Sequence, residues 1–311
     1  MYMENLAVSL PGLNMKNPIM PASGTFGFGD MYHDLYDYNT LGAIVLKSTT
    51  KEARTGNEDP RFFLMEHGAL NAVGLKNPGV DKVLSDKIPN LNQYNTPVMA
   101  SVAGKTVEEF AQVARKLSES EGISALEINV SCPNVKEGGL AFGTDAKKVR
   151  EITEAVKKVT TLPVYIKLSP NVTDIVAIAK AAESGGADGI TLINTVLSMQ
   201  FDVTTRKPVL GNVMGGLSGE SVLPIAIRMV YQIAQEVDLP IIGMGGVQST
   251  DDVLQMLLAG ASAVAIGTAT YRNPLIMKQI IAELPKRLNE LGIPSIEFLI
   301  SEVKKERNNG Q

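Results

Sequence analysis

The chain has 311 residues, with 29 Lys and Arg against 33 Asp and Glu, a formal charge of −4. This acidic balance argues against a nucleic-acid partner, whose binders present a basic stripe, and against an anionic membrane surface, which calls for a polybasic patch. With 44% hydrophobic and 20% charged residues the composition is globular; the single cysteine, Cys132, excludes an internal disulfide, and with two histidines beside it no metal site is expected.

Met1–Leu13 has no basic stretch leading into an apolar core, so no secretory leader is expected. The first apolar run, Pro18–Ala22, ends at Ser23-Gly24, and the second, Ala43–Lys47, ends at Lys47-Ser48. His33 and His67 fall in polar stretches and read as exposed loop residues. A long connection, Ser48–Pro97, precedes the third run, Val98–Val102, which ends near Ser101. Ala103-Gly104-Lys105-Thr106 looks like the tail of a phosphate-binding P-loop, but Met99 stands where that motif needs its first glycine. Thr106-Val-Glu-Glu109 instead fits a capping box that opens a helix. The fourth run, Ala125–Val130, leads into a second long connection, Ser131–Asp145, which holds Cys132. Lys167 interrupts the fifth run, Val164–Leu168; Thr173 then precedes a helical stretch that Gly185-Gly186 stops. The sixth run, Gly189–Ile193, opens the third long connection, Asn194–Gly219. The seventh, Ile241–Met244, meets Gly245-Gly246; Thr250 precedes a helix stopped by Gly260; the eighth, Ala263–Ile266, meets Gly267-Thr268. The most apolar stretch, Met256–Gly267, is about 12 residues, short of the ~20 that span a bilayer, so a cytoplasmic protein is expected.

Most of these runs lack polar alternation, as strands buried on both faces do, which points to a parallel sheet covered by helices. Eight such strands alternating with helices predict an α/β protein, a (β/α)8 TIM barrel, typically ~250 residues. No linker divides the chain, so residues 1–311 read as a single domain. The surplus length falls in the three long connections, all after strands, which predicts extended loops at the C-terminal face where barrel sites form. An open doubly wound sheet is the alternative, but no run is followed by G-x-G-x-x-G.

The strand ends would bring small polar groups, two lysines and one thiol to a single mouth. Gly245-Gly246 and Gly267-Thr268, after strands seven and eight, stand where barrels hold a phosphate on backbone amides. Lys47 and Lys167 interrupt apolar strands at the same relative position; they could neutralise anionic ligand groups, or one could form a Schiff base. Cys132, after a strand and before a proline, could be a nucleophile or a general base. Asn71, Asn129, Asn134 and Asn194 offer donors and acceptors to a planar ligand with alternating C=O and N–H groups, or else form turns.

Taken together, Asn129-Val-Ser-Cys-Pro-Asn134, Ile241-Ile-Gly-Met-Gly-Gly246, Asn71-Ala-Val-Gly-Leu75 and Lys47 before Ser-Thr-Thr resemble the dihydroorotate dehydrogenases. The resemblance runs from Pro18 to about Leu299. It implies a barrel with one FMN per chain that oxidises (S)-dihydroorotate to orotate in pyrimidine (UMP) biosynthesis. It implies that Ser23, Lys47, Ser48, Ser101, Asn129 and Lys167 surround FMN, with Ile193, Gly219, Gly245, Gly246, Gly267 and Thr268. By the same resemblance Lys47, Asn71, Ala72, Val73, Gly74, Leu75, Asn129, Asn134, Asn194 and Thr195 contact the substrate. Cys132 would be the general base, with Lys167 and Lys47 as the other catalytic groups.

Members of that family that use serine as base are membrane-associated; with Cys132 at that position this chain resembles the soluble members. Lys136-Glu-Gly-Gly-Leu-Ala-Phe-Gly143 and Leu168-Ser-Pro-Asn-Val-Thr-Asp174 resemble the NAD-linked, two-subunit group. That implies a homodimer of this chain joined to an electron-transfer subunit carrying FAD and a 2Fe–2S cluster, a heterotetramer. One cysteine cannot ligate a four-cysteine cluster, so any cluster resides on the partner. The alternatives are a fumarate-linked homodimer and a flavin-free Schiff-base aldolase built on Lys47 or Lys167.

Overall fold

The structure is a computed structural model that describes residues 4–35, 37–130 and 142–309. Cys132 and Asn134 lie outside the described residues.

Eight parallel strands form the barrel wall: Ile19–Pro21, Ile44–Val45, Val98–Val102, Ala125–Asn129, Val164–Lys167, Gly189–Leu192, Ile241–Met244 and Ala263–Ile266. They pair in the order first, eighth, seventh, sixth, fifth, fourth, third, second. The first and second approach at the seam, where the Gly42 N–H donates to Ile19 O at 2.9 Å. All eight are buried, as continuous apolar runs require in a sheet covered on both faces. Register sets functional side chains level: Ser101 pairs with Glu127, Asn129 with Lys167, and Lys167 with Thr191.

Amphipathic helices form the outer ring. Val107–Ser118 buries Phe110, Val113, Ala114 and Leu117, the spacing of one helical stripe. Each large apolar side chain removed from water there contributes about 1.5–3 kcal/mol before entropy is charged against it. Thr106 caps this helix by accepting the Glu109 N–H, while the Glu109 carboxylate reaches back to the Lys105 N–H at 2.8 Å. Two other helices start one residue from the threonine that precedes them in the sequence reading. Asp174, not Thr173, caps Ile175–Ser184, because its carboxylate accepts both the Val176 and Ala177 amides. Ser249 caps Thr250–Leu258, and the Thr250 hydroxyl donates to Glu283 at 2.6 Å instead.

Two additions were not expected from the sequence. A hairpin, Val8–Leu10 with Leu13–Met15, covers the N-terminal end of the barrel, where the Tyr165 hydroxyl donates to Pro11 O at 2.8 Å. Its three-residue strands are too short to show a period. At the other end, the first and third long connections do not stay loops. They interlock as a four-stranded antiparallel sheet in the order Val196–Ser198, Gly215–Ser218, Gly68–Asn71, Phe62–Met65. The remainder of Ser48–Pro97 leaves the mouth and turns helical through Val80–Lys82, Val83–Lys87 (a π-helical stretch) and Ile88–Leu91, tied to the outer ring by Lys116 to Asp81 at 2.6 Å. Among the described residues no helix is long and apolar enough to cross a membrane.

Candidate active site

A cavity of about 270 Å³ opens at the C-terminal ends of the barrel strands, beneath the four-stranded sheet. The barrel contributes Ser23, Lys47, Ser48, Asn129, Lys167, Ile193, Gly245, Gly246, Gly267 and Thr268 to its wall. The connections contribute Asn71, Val73, Gly74, Leu75, Asn194, Thr195 and Gly219. Two expected residues do not reach the wall. Ser101 is fully buried behind Ser48, and Ala72 packs with Leu70, Val209 and Leu210 under the upper sheet.

The segment around Asn71–Leu75 is shaped by Asn57. Its N–H donates to Val73 O at 3.1 Å and its side-chain amide to Ala72 O at 2.9 Å. Gly74 (φ +73) permits this approach, since a Cβ there would lie 2.7 Å from Asn57.

The two lysines have different surroundings. Lys167, 5% exposed, donates to Ser23 Oγ at 3.1 Å and lies 3.7 Å from Glu127 Oε1. The Lys47 ammonium forms no hydrogen bond or ion pair among the described residues. Burial pushes its pKa below the ordinary lysine value, and the Lys76 and Arg61 cations add to the effect. An ammonium held this way has an electrostatic vacancy that an anionic ligand group can fill.

Asn71 Nδ2 donates to Gly216 O at 3.3 Å, Asn129 Nδ2 to Ser48 Oγ at 3.0 Å, and Asn194 Nδ2 to Asn129 Oδ1 at 3.2 Å. Opposite them the backbone forms a cradle. Gly245 has φ +125, and Gly246 has φ +81, with a Cβ position only 2.7 Å from Leu223 N. Gly219 (φ +102) would place a Cβ 2.6 Å from Gly68 Cα. Gly267 is not constrained in this way: a Cβ there would meet Ala22 at an ordinary 3.4 Å. Thr268 donates to Ser218 Oγ at 2.8 Å and so joins the eighth strand to the upper sheet. Closely approached backbone with open N–H groups suits an anion such as a phosphate.

Residues that the sequence did not point to as site residues complete the site. Glu127, 1% exposed, sits under the floor within the apolar fourth strand. Its signal was a lone carboxylate in a run that should be apolar. His67, read as an ordinary loop histidine, is largely exposed but stands at the cavity rim with its Nδ1 3.3 Å from Glu220 Oε2. That contact, with Gln248, holds the Glu220 carboxyl below its usual range. Arg272 closes the rim by donating to the Met65 and Glu66 carbonyls. Among the described residues the arrangement offers an anion cradle, three amides and one unpaired ammonium, a set suited to a planar anionic ligand.

A family model described as dihydroorotate dehydrogenase matches residues 5–288. A protein of Listeria monocytogenes is 54% identical over 307 residues, covering 99% of this chain and 100% of the relative. One of Anoxybacillus flavithermus is 56% identical over 309 residues, covering 99% and 98%. One of Enterococcus faecalis is 54% identical over 312 residues, covering both fully. All three are described as the catalytic subunit of dihydroorotate dehydrogenase B (NAD(+)).

Proposed function

The chain belongs to the dihydroorotate dehydrogenase family, and from that membership we propose that it oxidises (S)-dihydroorotate to orotate in pyrimidine synthesis, with FMN in the cavity and electrons leaving through a partner subunit to NAD. The observation that carries this reading is the Lys47 ammonium, unpaired among the described residues, in the same cavity as the glycine cradle. Together they call for a ligand set with an anion at each end. A flavin phosphate fits the cradle of Gly245, Gly246 and Thr268. Its ring, with alternating C=O and N–H groups, fits the floor of Ser23, Ser48, Asn129 and Lys167.

Dihydroorotate loses a proton from C5 and a hydride from C6. The chemistry FMN supplies when bound is acceptance of that hydride. The protein's part is to bind, orient and move the proton. Lys47 neutralises the substrate carboxylate, and Asn71, Asn129, Asn194 and Thr195 hold the ring by its amide groups. Cys132 takes the C5 proton, a role that rests on the resemblance of its motif. The upper sheet excludes water from the reacting atoms.

The NAD-linked descriptions of the relatives support a partner over direct fumarate use. The assembly is a homodimer of this chain joined to subunits that carry FAD and the iron–sulfur cluster, in the cytoplasm. Family membership sets the Schiff-base aldolase aside.

The test is purification of the chain with and without an FAD/iron–sulfur protein. The chain alone should be yellow and bleach with dihydroorotate under argon, and NAD reduction should require the second protein. A colourless chain would overturn the flavin assignment, and rapid fumarate reduction by the chain alone would overturn the acceptor. Gly246→Ala should lower FMN affinity by roughly ten-fold or more, since backbone strain of this kind costs on the order of 1–3 kcal/mol. Fluorescence titration of apoprotein with FMN measures this, and native affinity would show that the cradle does not hold the phosphate.

A further inference from the structure

Under the cavity floor runs a belt of hydrogen bonds with one direction. Asn194 donates to Asn129, which donates to Ser48. Ser48 Oγ lies 2.9 Å from Ser101 Oγ, and Ser101 donates to Glu127 Oε1 at 3.0 Å. From the other side Lys167 donates to Ser23, and Ser23 donates to the same Oε1 at 2.7 Å. Thr191 donates to Oε2 at 3.2 Å. A hydroxyl carries one proton. The proton of Ser101 is committed to Glu127, so Ser48 must donate to Ser101, and Ser48 is then left to accept from Asn129. Every donor in the belt therefore points toward one carboxylate that is 1% exposed.

The same carboxylate is the countercharge for Lys167, 3.7 Å away and bridged by the Ser23 hydroxyl. A buried pair of this kind is expensive to break by removing one member, because the other charge is left without compensation. Of the two ammonium groups that line the cavity among the described residues, Lys167 is thus compensated from below, whereas no described group compensates Lys47.

We propose that Glu127 is a positioning residue for the reaction: its charge aims the belt of amides and hydroxyls, holds Lys167 at the floor, and leaves Lys47 as the ammonium free for the ligand's anion. This rests on the oxidoreductase reading, because the field that Glu127 sets is the one a bound flavin experiences. No amide flip is open to Asn129 while Ser48 needs its donor. The face that Asn129 presents to the ligand is therefore decided two residues earlier in its own strand.

Glu127→Gln keeps the shape and an acceptor oxygen for Ser23 and Ser101 while removing the charge. In the yellow full-length protein, the ratio of reduced to oxidised flavin at a fixed reference-dye poise should rise roughly ten-fold, because a nearby negative charge is gone. A merely structural glutamate would leave that ratio unchanged, and an unchanged ratio in folded, yellow E127Q overturns the proposal. Where E127Q does not fold, the double variant with Lys167→Met decides. Recovery of a folded chain when both charges are removed shows that Glu127 serves Lys167, and continued failure to fold overturns the proposal. A colourless wild type would sink the flavin reading instead, and thermal melting of the two single variants and the double would then decide for Glu127. A double variant more stable than E127Q supports the pairing, and a simple sum of the single effects overturns it.

Discussion

Replacement of Cys132 by alanine is expected to leave a folded, yellow protein whose flavin is reduced by dihydroorotate about 10²–10⁴-fold more slowly, the range that a positioned general base contributes. Stopped-flow bleaching of the flavin under argon measures it without the partner or the final acceptor. The chain holds one cysteine, so no second thiol can substitute. Asn129 lines the cavity at the end of the fourth strand, and the Gly143 N–H donates to Val130 O at 2.8 Å. The connection that carries Cys132 therefore starts and finishes beside the cavity floor. Cys132→Ser should recover part of the rate and climb toward higher pH, since a hydroxyl is a weaker acid than a thiol. Flavin reduction at the native rate in the alanine variant would remove Cys132 from the mechanism.

Lys47→Gln is expected to weaken orotate binding by roughly 10–100-fold, the loss of about 1.5–3 kcal/mol for a charge-assisted hydrogen bond. Titration of the yellow protein by difference spectra gives the Kd, and an unchanged value would free Lys47 from the carboxylate. The native protein should show a matching pH dependence. Lys47 is held below the ordinary value of 10.5, so in the folded state it sheds its proton at lower pH than in the unfolded chain. Orotate affinity should fall as pH rises through that lowered pKa, because the ammonium proposed to neutralise the carboxylate disappears. The unliganded protein should behave in the opposite sense. The unfolded chain binds the proton more tightly, so Lys47 makes folding more favourable as pH rises toward 10.5. Lys47→Gln should flatten both trends.

The barrel was legible because burial on both faces leaves no room for polar alternation. Runs such as Val98–Val102 and Ile241–Met244 have the same limits in the sequence and in the structure. The strand ends were legible for the same reason: a lysine or a glycine pair closing an apolar run marks where the sheet meets the mouth. The upper sheet was not legible. Gly68–Asn71 and Gly215–Ser218 are four residues each, and each is a strand through its partners on both sides, one of which lies about 145 positions away. Such pairing across the chain leaves no local period. Helix starts at Asp174 and Ser249 were missed by one residue, since neighbouring polar side chains compete for the same free amides and only the backbone decides which one wins.

The candidate site residues, and the places of Lys167 and the Gly245-Gly246 and Gly267-Thr268 pairs at the ends of barrel strands, were legible in the sequence alone, because hydrophobic periodicity is a local property. Which lysine is compensated and which has no partner among the described residues, that Ser101 and Ala72 stand behind the wall, and that Glu127 underlies the floor were decided by the tertiary structure. The reason is that charge compensation and burial depend on distances between strands. Lys167 finds Ser23 across 144 positions of sequence, and nothing local to either residue encodes that meeting.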